Sequence, residues 1–350
     1  MLKKFDKYAR KDRFSGHTAG EFEAWRGQIR KLLRELLGFD KMEKSSLRPV
    51  VEEVTILPGS IRREHVRIQV EPDVWMPFYL LIPGDASSHT RPFLCPPGHN
   101  GAGKYTVAGV KGYAAVEEKI RQYQYDYGMQ LAELGYVAVC PDCRGFGERR
   151  EEIEDTKEPF TALGGDCRFL AHMGEPLGIP VAGMLAWDLI RAVDYVKERG
   201  EWDTDNISCL GFSGGGMQTL WLSALDDRVK LAAVSGYLYG FRDSLLTLNR
   251  NCSCNYVPHL WEHLDMGDIA SLLAPRPFLI QSCVDDHLNG PRGMANVTEQ
   301  VDIVRQAYAL YKAENRLIHE ICEGGHQWHR EHLKEHLKRL TTGKPEDGIG

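Results

Sequence analysis

From residue 92 onward, short apolar runs alternate with helical stretches, and this alternation restricts the fold more than any other feature of the chain. The runs lie at 92–95, 136–140, 207–211, 231–235, 277–281 and 317–322. Amphipathic segments at 122–134, 184–198 and 217–225 separate several of them. That pattern predicts an α/β chain, with a mostly parallel, doubly wound sheet carrying helices on its faces. Upstream, residues 51–56 and 65–70 alternate apolar with polar side chains, and 76–82 is a third extended run closed by Pro83-Gly84-Asp85. These predict an antiparallel N-terminal edge. Residues 1–47 are charged, with Ala24, Ile29, Leu32, Leu33, Leu36 and Leu37 at helical steps, which predicts a helical extension on a main domain of 48–342. Connections 144–183 and 240–268 are too long for turns and are expected to form caps over a site.

Charge and cysteine content narrow the class. The net charge is −6 over 350 residues with no basic block, which argues against nucleic acid as a partner. An uninterrupted apolar run of about 18 residues, the signature of a membrane-spanning helix, does not occur. Met1 to Lys7 leads into charged residues rather than the apolar stretch of a secretory signal. Nine cysteines are an odd count, which speaks against a disulfide framework and for a reducing compartment. The expected location is cytoplasmic.

The most informative stretch is Gly211-Phe212-Ser213-Gly214-Gly215-Gly216, where an apolar run enters Gly-x-Ser-x-Gly and a helical segment follows. A serine on such a strand-to-helix turn is exposed on a crowded backbone, and the helix start offers amides to a developing oxyanion. Ser213 is therefore the candidate nucleophile. A serine needs a base, and the base an orienting carboxylate. His326 follows the last apolar run in Glu323-Gly324-Gly325-His326, and Asp285-Asp286 follows the run at 277–281. The order Ser, Asp, His suits a triad. The loop Pro97-Gly98-His99-Asn100-Gly101 offers the His99 and Asn100 amides as oxyanion donors beside that of Gly214.

Several blocks together carry a resemblance: Pro97-Gly98-His99-Asn100-Gly101, Asp142-x-Arg144-Gly145-Phe146-Gly147-Glu148-Arg149, Trp187-Asp188-x-x-Arg191, Gly211 to Gly216, Cys252-Ser253-Cys254-Asn255-Tyr256-Val257-Pro258 and Ala274-Pro275-Arg276-Pro277. Over about residues 50–340 the chain resembles α/β-hydrolases of the dienelactone hydrolase and acetyl xylan esterase-like group. The resemblance implies an eight-stranded α/β-hydrolase fold and ester hydrolysis, with deacetylation of a carbohydrate as the expected reaction. Dienelactone hydrolases use a cysteine nucleophile, so serine at 213 argues against that substrate. Counting from Cys283 to Leu288 by the spacing of such hydrolases selects Asp286 as the acid, with Asp285 its rival.

Other patterns favour structural readings. Gly98 to Lys104 nearly spells a phosphate-binding loop, but Tyr105 stands where a hydroxyl ligand to magnesium belongs. His332-x-x-x-His336 has zinc-protease spacing with too little chain after it for a third ligand. Cys140-x-x-Cys143 lacks a second pair, and Cys252 and Cys254 read as buried thiols. Arg144 is expected to anchor its loop through an ion pair, and Asp188 to complement a helix start. The sequence thus predicts a serine esterase needing no cofactor or metal, with a small-molecule ester, such as an acetylated sugar, as its partner. A peptidase on the same fold and a non-catalytic binding protein on this scaffold are the alternatives.

Overall fold

The computed structural model describes residues 1–150 and 165–342. Among the described residues nine strands form one sheet: β1 (Val50–Leu57), β2 (Ile61–Glu71), β3 (Val74–Ile82), β4 (Pro92–Leu94), β5 (Val137–Pro141), β6 (Ser208–Phe212), β7 (Leu231–Ser235), β8 (Phe278–Cys283) and β9 (Leu317–Cys322). Their order is β1-β2-β3-β5-β4-β6-β7-β8-β9. β1, β2, β3 and β5 pair antiparallel in succession, and every pair from β5–β4 through β8–β9 is parallel. The sheet is thus the doubly wound α/β-hydrolase arrangement with an antiparallel N-terminal edge. It has nine strands where the resemblance implied eight.

Strand periodicity of two sends alternate side chains into two cores. Phe78, Leu80, Val137, Val139 and Cys209 face one layer, while Tyr79, Leu81, Ala138, Cys140 and Leu210 face the other. The first layer takes helices Ala19–Leu36, Val181–Arg199, Gly214–Leu225 and Met294–Leu310; the second takes Tyr127–Glu133 and Leu333–Thr342. Within residues 1–47, Phe22, Ile29, Leu33 and Leu37 enter the first core. Ala24 does not: it is exposed, and Phe22 and the half-buried Trp25 provide the contact instead. Thr18 and Glu21 close a capping box at the start of that helix.

Two local expectations are corrected. The segment 122–134 is not one helix: Ala114–Tyr123 ends at Gln124 (φ 52°), and Tyr127–Glu133 begins a new one. The break turns Tyr125 inward, where it is fully buried and its hydroxyl donates to the His99 carbonyl at 2.7 Å. β1 is not half-buried either, since Val50, Val51, Val54 and Ile56 are exposed along the edge of the sheet. Of the connection 144–183, residues 151–164 lie outside the described residues.

Candidate active site

The parallel strands all point the same way, so their C-terminal ends share one rim, and ligands of open α/β sheets bind there. Ser213 follows β6 directly and opens the helix Gly214–Leu225. Its backbone (φ 57°, ψ −121°) lies in a region that non-glycine residues avoid, the strain of a nucleophile elbow. The turn closes only because its neighbours lack side chains. A Cβ on Gly211 would come within 2.3 Å of the Gly215 carbonyl oxygen, and one on Gly215 within 2.3 Å of the Pro96 carbonyl oxygen.

His326 lies beyond β9 and Asp286 beyond β8, and both reach this turn. His326 Nε2 is 2.8 Å from Ser213 Oγ, and His326 Nδ1 is 2.6 Å from Asp286 Oδ2. Asp286 is buried, and its Oδ1 accepts the Leu288 amide at 2.8 Å, which fixes the carboxylate. Asp285 is exposed, and its amide donates to the Gly324 carbonyl instead. The imidazole packs on Phe212 with ring centroids 4.6 Å apart, and His287 stands edge-on to it at 5.6 Å.

The expected oxyanion loop lies against the turn that carries Ser213. A Cβ on Gly98 would sit 3.2 Å from the Gly214 nitrogen, the first amide of the helix. Asn100 is exposed, at φ 62°. The His99 ring turns back toward Gly214: a Cβ there would be 2.5 Å from His99 Nδ1. Its other nitrogen, Nε2, faces sulfur, 3.5 Å from both Cys167 Sγ and Cys254 Sγ. Cys252 completes this group, and the four donor atoms lie within 4.8 Å of one another. Burial works against a charged imidazole, but the Cys252 thiolate beside it, followed by Cys167, raises His99 to about 10. The Cys252 thiol is correspondingly lowered, chiefly by hydrogen bonds from Cys167 and Cys254.

Cys254 is buried as the sequence suggested, whereas Cys252 is half-buried. The grouping with His99 and Cys167 was missed because the members stand 68 and 155 positions from His99 along the chain. The Cys252-x-Cys254 spacing was its only local signal.

The remaining motifs resolve into structure. Lys104 is fully buried, and its Nζ meets Asp142 Oδ2 at 2.7 Å and Glu148 Oε1 at 2.5 Å. Burial pushes Asp142 above the usual carboxylate range, while Glu148, against the pull of burial, is held below it by Lys104. Arg144 pairs with Glu71 at 2.5 Å and Asp188 at 3.1 Å, and Arg149 with Asp188 at 2.6 Å. Asp188 therefore anchors loops from inside the helix Val181–Arg199 rather than complementing its start. Cys140 and Cys143 are both buried. His332 and His336 meet Glu320 at 2.7 and 3.3 Å.

With this geometry established, comparison places the chain among known proteins. The sequence profile of the Abhydrolase family matches residues 1–340. The chain belongs to that family. It is 30 % identical over 177 residues to "Putative hydrolase YtaP" of Bacillus subtilis (strain 168); the match covers 50 % of this chain and 55 % of that relative. The chain thus aligns with about half the length of this curated relative. Among solved structures it is similar to a "putative acetyl xylan esterase" from Bacteroides fragilis NCTC 9343, with TM-score 0.75, 21 % identity and coverage of 92 % of this chain and 80 % of that one. A glucuronoyl esterase from Solibacter usitatus aligns at TM-score 0.66 and 16 % identity, covering 95 % and 96 %. The methylesterase BT1017 aligns at 0.68 and 20 %, covering 98 % and 67 %. At these identities the structural likenesses establish the α/β-hydrolase fold.

Proposed function

We propose that this Abhydrolase family member is a serine-dependent carboxylic ester hydrolase acting on acylated carbohydrates, acetyl esters foremost. The supporting observation is the continuous relay Ser213–His326–Asp286, with both contacts at hydrogen-bond distance. Ser213 attacks the ester carbonyl while His326 Nε2 takes the hydroxyl proton. The imidazolium is stabilised by Asp286, and its proton then passes to the leaving alcohol. The Gly214 amide and the His99–Asn100 segment supply donors to the tetrahedral oxyanion. Water, activated by the same histidine, hydrolyses the acyl-enzyme. The names of the similar structures, acetyl xylan esterase, methylesterase and glucuronoyl esterase, all denote ester cleavage and support this class.

The test is a series of p-nitrophenyl esters of graded acyl length, followed by acetylated xylo-oligosaccharides and methyl glucuronate esters. Turnover is expected to peak at acetyl, with an initial burst on the activated ester. Ser213→Ala should lower kcat by about 10⁴-fold or more while leaving the fold intact. A fluorophosphonate should label Ser213. A Ser213→Ala protein with unchanged turnover would overturn the assignment.

A further inference from the structure

The geometry points to a closed, tetrahedral zinc site formed by His99 Nε2 and the sulfurs of Cys167, Cys252 and Cys254. Three thiolates with one imidazole are a donor set that suits Zn²⁺, and four protein ligands leave no position open for substrate. The spacing fits the ion. With Zn–S near 2.3 Å and Zn–N near 2.05 Å, a tetrahedron has N···S edges of about 3.5–3.6 Å. The two N···S separations from His99 are each 3.5 Å, and all four donor atoms lie within 4.8 Å of one another.

Surrounding groups behave as partners of such a centre. Asn255 Nδ2 donates to Cys254 Sγ at 3.7 Å and to the Cys252 carbonyl at 3.1 Å. Its own oxygen accepts the Tyr237 hydroxyl at 2.9 Å, which fixes the amide. Donors to a ligating sulfur of this kind orient it and temper its charge. Binding breaks the S–H bonds of Cys167 and Cys254 and the Nε2–H bond of the His99 imidazolium, the Cys252 sulfur being a thiolate already, and forms three Zn–S bonds and one Zn–N bond. Three protons leave to solvent, the centre carries a net charge of −1, and no electron is transferred.

The ligands come from three separate loops. His99 follows β4, Cys167 opens the helix Cys167–Gly174, and Cys252 and Cys254 lie in the excursion between β7 and β8. A metal there ties these loops together beside Ser213. Coordination through Nε2 also leaves the His99 proton on Nδ1, the edge that faces Gly214. The site is therefore a clamp on the roof of the nucleophile. This positional consequence rests on the esterase reading; the metal site itself does not.

The experiment uses the full chain expressed with zinc supplementation. Elemental analysis should find about one zinc per chain after gel filtration, and Cys252→Ser with Cys254→Ser should reduce it to background. In parallel, the unaltered chain is stripped with a chelator and titrated with Co²⁺. A thiolate-to-cobalt charge-transfer band saturating at one equivalent, with intense tetrahedral d–d bands, is expected. That readout decides the matter if the double variant fails to fold. The absence of both zinc and the charge-transfer band overturns the proposal, as does zinc retained in a folded double variant. Fluorophosphonate labelling of Ser213 in the same samples reports the triad separately, so failure of one reading is distinguishable from failure of the other.

Discussion

Two adjacent aspartates with opposite surroundings show how much one residue position decides. Asp286 is buried against His326, whereas Asp285 is exposed to solvent. An Asn at 286 keeps the shape but presents an amide to His326 Nδ1, so the imidazole loses the partner that fixes its tautomer. The serine-protease precedent for that change is about 10⁴-fold in kcat. Asp286→Asn is expected to lose activity on that scale and Asp285→Asn to retain most of it, as measured with an activated ester. A dead Asp285→Asn would contradict the geometry. The candidate serine and histidine were legible in the sequence because the chemistry proposed for them demands local signatures: a glycine-walled serine and a histidine on a Gly-Gly turn. The choice between the aspartates was legible only through spacing, since one residue of offset after a strand exchanges solvent for interior. The His99–thiol group was illegible because its members meet only after three crossovers have formed.

At the level of elements, the pattern located β7 and β9 at their observed bounds; β7 is a buried parallel strand and so a short, continuous apolar run, whereas β9 is a half-buried edge strand that carries His319 and Glu320. The pattern failed over 122–134, where the helices Ala114–Tyr123 and Tyr127–Glu133 are parted by residues 124–126, with Gln124 left-handed. It also placed Ala24 in a stripe that Phe22 fills. The docking of the N-terminal helix depended on a close approach that no pattern announces. Gly183, in the first turn of Val181–Arg199, faces the chain just past Leu36, and a Cβ there would come within 2.0 Å of the Leu37 carbonyl oxygen. Backbone cannot yield as a flexible side chain can, so the two helices must part. Gly183→Ala is expected to destabilise the fold by about 1–3 kcal/mol, the usual range for overpacking. Denaturant unfolding monitored by Trp25 and Trp187 fluorescence would read the loss, and an unchanged midpoint would show that the helices are not held together there.

Over the whole molecule, acid stability follows from groups that differ between folded and unfolded chains. His319, on β9 beside β8, is lowered from 6.5 to about 4, first by burial and then by Arg305, with Asp302 opposing. Its Nε2 lies 3.2 Å from Ser282 Oγ. Below pH 6.5 the unfolded chain binds a proton at this residue that the folded chain refuses. Stability is therefore fully present above that value and declines as pH falls toward 4. By pH 5 the loss from this one group is about 2 kcal/mol. Glu320, the next residue, is lowered from 4.5 to about 2; burial opposes this, and hydrogen bonds from His336, Gln281 and His332 prevail. Its contribution disappears in the adjoining window, as pH falls from 4.5 toward 2, so the two residues act in succession along one strand. A His319→Gln substitution keeps a polar group opposite Ser282 but cannot titrate. Urea unfolding at pH 7 and pH 5 should show the parent losing about 2 kcal/mol more than the variant between the two conditions. Parallel pH profiles would mean that His319 titrates alike in both states, and that burial on β9 does not exclude its proton.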